Sequence, residues 1–261
     1  MFRSPRFLRS LPAVPSLAVL GLLAGCGRTP TTPVSLGDLS TRTLTYALVD
    51  IDSLENPDAA GSHRFTVTLS QPDDACTKLV DGVTATFNGQ PMELEPGGIS
   101  SSGGRETCDP TRAWFDFDPA VWDSEPIEDA RIFFQGADGT RSLSLIVQGA
   151  KAKRHFTFQG AGTGATLRQG QTYKYRWEPV EETPDTVSAS LLREDGRAPG
   201  TLQLTQDGSN VSFTLPQATP VANHLLTLSG SLAGPVLECT GVAGCEGSIF
   251  HSTDFQVAVA P

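Results

Sequence analysis

Short runs in which apolar and polar side chains alternate dominate this chain from residue 42 onward. Alternation with a period of two places one face of a strand against a core and the other in water. The pattern predicts strands at Leu44–Val49, Phe65–Leu69, Val83–Phe87, Trp114–Phe117, Arg131–Phe134, Leu143–Val147 and His155–Phe158. Further strands are expected at Val187–Leu192, Thr201–Thr205, Val211–Leu215, His224–Leu228 and Phe255–Val259. Asn88-Gly89 and Asp138-Gly139 supply hairpin turns, because these residues accept positive φ at low steric cost. No run of ten or more residues has a capped helical period. One short helical turn is expected from Pro119 to Trp122. The fold class that follows is all-β.

The alternation pauses at Gly160-Ala-Gly-Thr-Gly164, where the chain becomes small and flexible, and a domain boundary is expected there. A rival boundary at Glu181–Asp185 leaves the second domain short of strands. After residue 160, Tyr173, Tyr175 and Trp177 share one face of a strand and Lys174 and Arg176 the other, so the aromatics are expected to point into a core. Leu202 and Leu204 are expected to pair with Val211, Phe213 and Leu215 across a turn at 206–210. Roughly 100 residues with six or seven strands, opened by Gln169-Gly-Gln-Thr-Tyr-Lys-Tyr-Arg-Trp177, resemble an immunoglobulin-like sandwich. That resemblance implies two sandwich domains, 42–160 and 161–261, the second immunoglobulin-like. It lacks the inter-sheet cysteine pair of antibody domains.

The first 26 residues follow another rule. Arg3, Arg6 and Arg9 precede an apolar run from Leu11 to Ala24 that contains Pro12 and Pro15. About fourteen apolar residues are too few for a spanning helix, which needs roughly 20, and a signal peptide at 1–25 fits better. Leu23-Ala24-Gly25-Cys26 resembles the bacterial lipobox, at which signal peptidase II cuts. The resemblance implies that Cys26 carries a diacylglyceryl thioether and becomes the acylated N-terminus. Each buried CH₂ of such chains contributes about 0.8 kcal/mol to membrane attachment. Gly27, in place of Asp, resembles the default for sorting to the outer membrane. Residues 26–41, rich in Thr and Pro, are expected to be a tether with a reach of roughly 50 Å at about 3.3 Å per residue.

Composition narrows the partners. The chain has 19 basic and 29 acidic residues. Removing the signal peptide takes three arginines away, leaving 16 against 29, a balance of −13. A surface this acidic repels nucleic acid, so none is expected as a partner. With Cys26 used by lipid, Cys76, Cys108, Cys239 and Cys245 remain, and an even remainder in an exported protein reads as disulfides. Proximity along the chain favours Cys76–Cys108 and Cys239–Cys245. Their spacings of 32, 131 and 6 do not suit a four-cysteine zinc site, which wants short paired spacings.

Candidate chemistry is sparse. No Gly-x-Ser-x-Gly elbow and no His-Glu-x-x-His occurs. His63, His155, His224 and His251 are scattered, and His63, His155 and His224 read as strand-end or surface residues. The densest charge is Asp116, Asp118, Asp123, Glu125, Glu128 and Asp129. Of these, Asp116, Asp118, Asp123 and Glu125 are the candidate ligands for Ca²⁺, a hard cation that wants several oxygens; no other cofactor is expected. Asp50-Ile-Asp52 is a fainter candidate. The expected function is a lipid-anchored envelope module acting by adhesion, assembly or ligand capture, with an envelope protein or glycan as partner. The alternative is an envelope hydrolase of glycans or peptides that uses Asp116 and Asp118 as acid and base.

Overall fold

The computed structural model describes residues 30–57, 59–139, 142–196 and 200–261. The signal segment 1–25 and Cys26 lie outside the described residues. Among those described, no helix is long and apolar enough to cross a membrane. The chain is all-β and opens with β1 (Thr31–Val34), β2 (Thr43–Asp52), β3 (His63–Leu69), β4 (Cys76–Leu79), β5 (Thr84–Phe87), β6 (Gln90–Pro91) and β7 (Glu93–Glu95). It continues through β8 (Gly98–Ser102), β9 (Arg105–Asp109), β10 (Thr111–Asp116), helix α1 (Pro119–Ser124), β11 (Ala130–Gln135) and β12 (Ser142–Val147). Next come β13 (His155–Phe158), β14 (Thr166–Arg168), β15 (Thr172–Glu178), β16 (Thr186–Arg193), β17 (Gly200–Thr201), β18 (Leu204–Asp207) and β19 (Asn210–Thr214). The last three strands are β20 (Asn223–Leu232), β21 (Val236–Thr240) and β22 (Gly244–Ala260).

One nine-stranded sheet spans the molecule in the order β17-β16-β20-β22-β2-β3-β10-β7, with β14 also paired to β22. Two smaller sheets lie side by side over its apolar face. The first, β21-β12-β11-β5-β6, covers the β2-β3-β10 side, where Phe87 of β5 meets Phe65 of β3 at 5.2 Å and Phe115 of β10 at 4.8 Å between ring centroids. The second, β13-β15-β19-β18, covers the other side, where Tyr175 of β15 packs 5.5 Å from Phe255 of β22. Two sandwiches therefore share one backing sheet.

The second sandwich has immunoglobulin topology. In that fold the first, second, fifth and fourth strands form one sheet and the third, sixth and seventh the other. Taken in that order, β13, β15, β19 and β18 face β16, β20 and β22, and β14 runs parallel to β22. Tyr175 and Trp177 are fully buried, as their strand alternation requires. Leu204 pairs with Phe213 as expected, but the backbone of Leu202 bonds instead to Ala189, so the segment from Thr201 to Thr205 divides between two sheets.

Two expectations are corrected by the strand pairing. The boundary at 160 does not confine residues 161–261 to the second sandwich. After β20 the chain crosses into the first sandwich, where β21 adds to the edge of β12 and the start of β22 pairs parallel with β2 from Thr43↔Gly244 to Asp52↔Thr253. The reason is apolar burial: Ile249 and Leu232 are buried, and Tyr46 donates its hydroxyl to the Gly234 carbonyl at 2.7 Å. The second correction is to the tether, which ends sooner than 41. Thr31–Val34 pairs parallel with β4, and a 3₁₀ turn at Leu36–Leu39 buries Leu36 and Leu39. The three apolar residues Val34, Leu36 and Leu39, read as linker, belong to the core.

The cysteines pair as 76–108 and 239–245. The first bridge ties β4 to the exposed β8–β9 hairpin; the second closes the tip of the β21–β22 excursion.

Candidate functional site

The inner face of β2 carries Leu44, Tyr46 and Leu48, all buried, and then Asp50 and Asp52. Strand periodicity puts these two carboxyls on the same side of the strand as that core, Asp50 partly buried and Asp52 exposed at the strand end. Cross-strand register then sets their neighbours. Asp50 lies opposite His63 on β3 and opposite His251 on β22. Its two oxygens are met by the two imidazoles, Oδ1 by Nδ1 of His63 at 2.8 Å and Oδ2 by Nδ1 of His251 at 2.9 Å. A carboxylate can only accept, so both Nδ1 atoms carry the hydrogen. His251 is 1% exposed, and its Nε2 lies 2.7 Å from the Thr253 hydroxyl and 3.9 Å from Asp52. The edge of Trp177 backs the same imidazole at 6.0 Å.

Burial pushes the Asp50 carboxyl up, but the hydrogen bonds and charges of His251 and His63 outweigh it and hold the group below its ordinary value. Asp52 moves the other way, raised by burial and by the charge of Asp50. Among the described residues no Lys or Arg stands within ion-pair distance of either carboxylate.

Outside this cluster lies a cleft of about 560 Å³ whose walls include Asp52, His63, Asp116, Phe117, Asp118 and Pro119. Phe117 meets the His63 ring edge-on at 5.7 Å and stacks on Trp122 at 3.7 Å, so an aromatic wall fixes the imidazole from the side. Helix α1 starts at this wall because Asp118 caps it, accepting from the Ala120 amide at 2.9 Å, with Pro119 at the first helical position.

The acidic run does not gather into a calcium cage among the described residues. Asp116 accepts two bonds from the Arg64 guanidinium, which hold its carboxyl below the ordinary range. Asp118 is occupied as the helix cap, and Glu125 pairs with the buried Lys151. Asp123 acts on Asp52 only through its charge. The chain spends these carboxylates on separate structural tasks, leaving Asp116 and Asp118 in the cleft wall. His224, expected at a strand end or the surface, is buried, as is His251, and His63 and His251, 188 positions apart, meet on one carboxylate. Their only signal in the sequence was Asp50-Ile-Asp52 at the end of an apolar strand, since register joins the rest.

No family model matches this chain, and no curated protein matches it. Solved structures similar to it include a chimeric titin Z1Z2-Z1Z2 tandem functionalised with an exogenous GRGDS peptide from fibronectin. That structure has 14% identity and a TM-score of 0.25, covering 83% of this chain and 96% of that one. Titin domains Z1Z2 in complex with telethonin follow at 15% identity and a TM-score of 0.21, covering 85% and 95%. Fibronectin(III)-like modules of Clostridium thermocellum CbhA stand at 8% identity and 0.22, covering 85% and 92%. Superpositions this loose assign neither a partner nor an activity.

Proposed function

We propose that this chain is a lipid-anchored module of the bacterial cell envelope, sorted to the outer membrane, that works by binding a ligand at the cleft beside Asp52 and His63. One observation carries the binding reading. Charged and polar side chains fixed by the register of the adjacent strands β2, β3 and β10, Asp52, His63 and Asp116, open onto a cleft of about 560 Å³ rather than being sealed by core. Sites with this much prior order lose little freedom on binding. The anchor reading rests on Leu23-Ala24-Gly25-Cys26. With β1 starting at Thr31, four residues separate the acyl-bearing position from the fold, and the five steps from Cys26 to Thr31 hold the fold within about 17 Å of the bilayer surface.

The hydrolase reading is the weaker one. With Asp116 and Asp118 as its acid and base, it needs one carboxyl raised, and Arg64 pulls Asp116 the opposite way.

The test is fractionation and intact mass of wild type and Cys26→Ala in a diderm host, followed by retention of envelope glycans and peptides on the purified protein. Wild type is expected to pellet with a lipid mass increment that Cys26→Ala lacks, and to retain ligand without turning it over. Loss of neither anchoring nor ligand in Cys26→Ala and Asp52→Asn, respectively, rejects the reading. Turnover of a glycan or peptide selects the hydrolase.

A further inference from the structure

We propose that Asp50, Asp52 and His63 form a site for a divalent transition metal, with zinc the best fit, and that the bound metal keeps a coordination position open to the cleft. The inference deepens the binding reading above and rests on it only for what reaches that open position.

The donor set comes first. One ligand atom from each of Asp50, Asp52 and His63 lies within 4.8 Å of the others. Two carboxylates and an imidazole form a mixed oxygen and nitrogen set, which suits zinc and its neighbours. Calcium and magnesium prefer oxygen alone. All four cysteines beyond Cys26 are tied in disulfides, so none competes as a ligand.

Charge is the second argument. Asp50 and Asp52 are two positions apart on one strand face and, among the described residues, are paired with the imidazoles of His63 and His251 but with no lysine or arginine. Nearby Arg64 is taken by Asp116, and Lys151 by Glu125 and Glu128. Two carboxylates held together without a lysine or arginine attract a dication more strongly than a monovalent ion.

Preorganisation is the third. The ligands stand on neighbouring strands of the central sheet. On binding, the ion takes the place of the hydrogen between His63 Nδ1 and Asp50 Oδ1, that hydrogen passing to Nε2 of the neutral imidazole, while His251 still donates to Oδ2 from beneath. A carboxylate steadied by a buried imidazole, itself bonded to Thr253, has the outer support that metal sites use to fix their ligands. Three protein ligands leave a tetrahedral ion one position short, and Asp52 and His63 border the cleft from which water or a ligand oxygen can fill it.

The experiment uses the untagged full chain, extracted from membranes in detergent and stripped with EDTA. Zinc is titrated against a chromophoric chelator in wild type, Asp52→Asn and His63→Gln, with circular dichroism confirming the native strand signal of each. One zinc per chain is expected. Its affinity should fall by about 100-fold in His63→Gln and about tenfold in Asp52→Asn, and His251→Gln should weaken it by about 10- to 100-fold through Asp50. A tenfold excess of Ca²⁺ should not displace it. The proposal is overturned if a natively folded chain takes up no zinc, if all variants bind it as wild type does, or if Ca²⁺ displaces it. Retention of an envelope ligand by zinc-free protein at full strength also overturns the open-position claim while leaving the binding reading intact. Stoichiometric zinc with no retained ligand supports the metal and sinks only the binding reading.

Discussion

The two sandwiches reach stability by different routes. The second is built from one continuous stretch plus the end of β22, has no disulfide, and closes on a dense aromatic core: Trp177 edge-on to Phe156 at 5.2 Å, Tyr175 against Phe158, Phe213 and Phe255. The first holds both disulfides, an exposed hairpin of polar strands and an edge strand contributed from about 90 residues downstream. Both sandwiches are filled by large rings, Phe65, Phe87 and Phe115 packing the first; what the first adds, where its chain supplies short polar strands, is covalent links and a borrowed strand.

Substitution of Trp177 tests that contrast most severely. Trp177→Ala is expected to destabilise the protein by about 3–5 kcal/mol, seen in chemical denaturation. Hydrogen exchange should rise first in β13, β15 and β19. If exchange rises equally in β3, β10 and β11, the shared sheet makes both sandwiches one cooperative unit and the contrast dissolves.

Removing the Cys76–Cys108 bridge should do the converse. Cys76→Ser with Cys108→Ser opens a loop of 32 residues' separation, with an expected loss of about 3–4 kcal/mol on loop entropy. The change should appear in β1, β4, β8 and β9 and leave the second sandwich protected.

A smaller effect probes the borrowed strand. Gly247 lies against Tyr46, and a Cβ there would sit 2.1 Å from the Tyr46 carbonyl oxygen. Gly247→Ala should force β22 away from β2 at a cost of about 1–3 kcal/mol, read as faster exchange in the first half of β22 with the second half unchanged.

The smallest is electrostatic. The folded pKa of Asp116 lies below its ordinary value because of Arg64. Its contribution is therefore present above the ordinary carboxylate range and is lost as pH falls through the lowered value. The pair is largely exposed, so Arg64→Gln should change acid stability slightly and only in the first sandwich.

Much of the fold was legible, and the reasons are local. β2, β3, β11, β12, β15, β16 and β20 announce themselves by strict alternation, and Asn88-Gly89 turns with positive φ at both residues. The helical turn at Pro119 appears because a capping aspartate precedes a proline. What stayed hidden is non-local or polar. The β8–β9 hairpin, Gly-Ile-Ser-Ser-Ser against Arg-Glu-Thr-Cys-Asp, has no apolar face to read and turns on two glycines. The crossing of β21 and β22 into the first sandwich leaves no periodic mark. The site was half visible for the same reason. Asp50 and Asp52 stood out as a pair, whereas His63 and His251 join them only through register with two strands far away in sequence. The acidic run was visible but misleading, because Arg64 and Lys151, which occupy two of its members, are distant in the chain.

Tandem sandwiches joined by a linker swivel about it. Here β22 runs 17 residues without a break, roughly 55 Å at strand rise, and residues Ile249–Thr253 are bonded on one side to β2 and on the other to β20. The strand is a cross-braced strut with no pivot along its length. Whatever the far end of the second sandwich touches, it meets at a height and angle set by the first, and force applied at Pro261 reaches β2 as shear along a row of hydrogen bonds instead of peeling them one at a time.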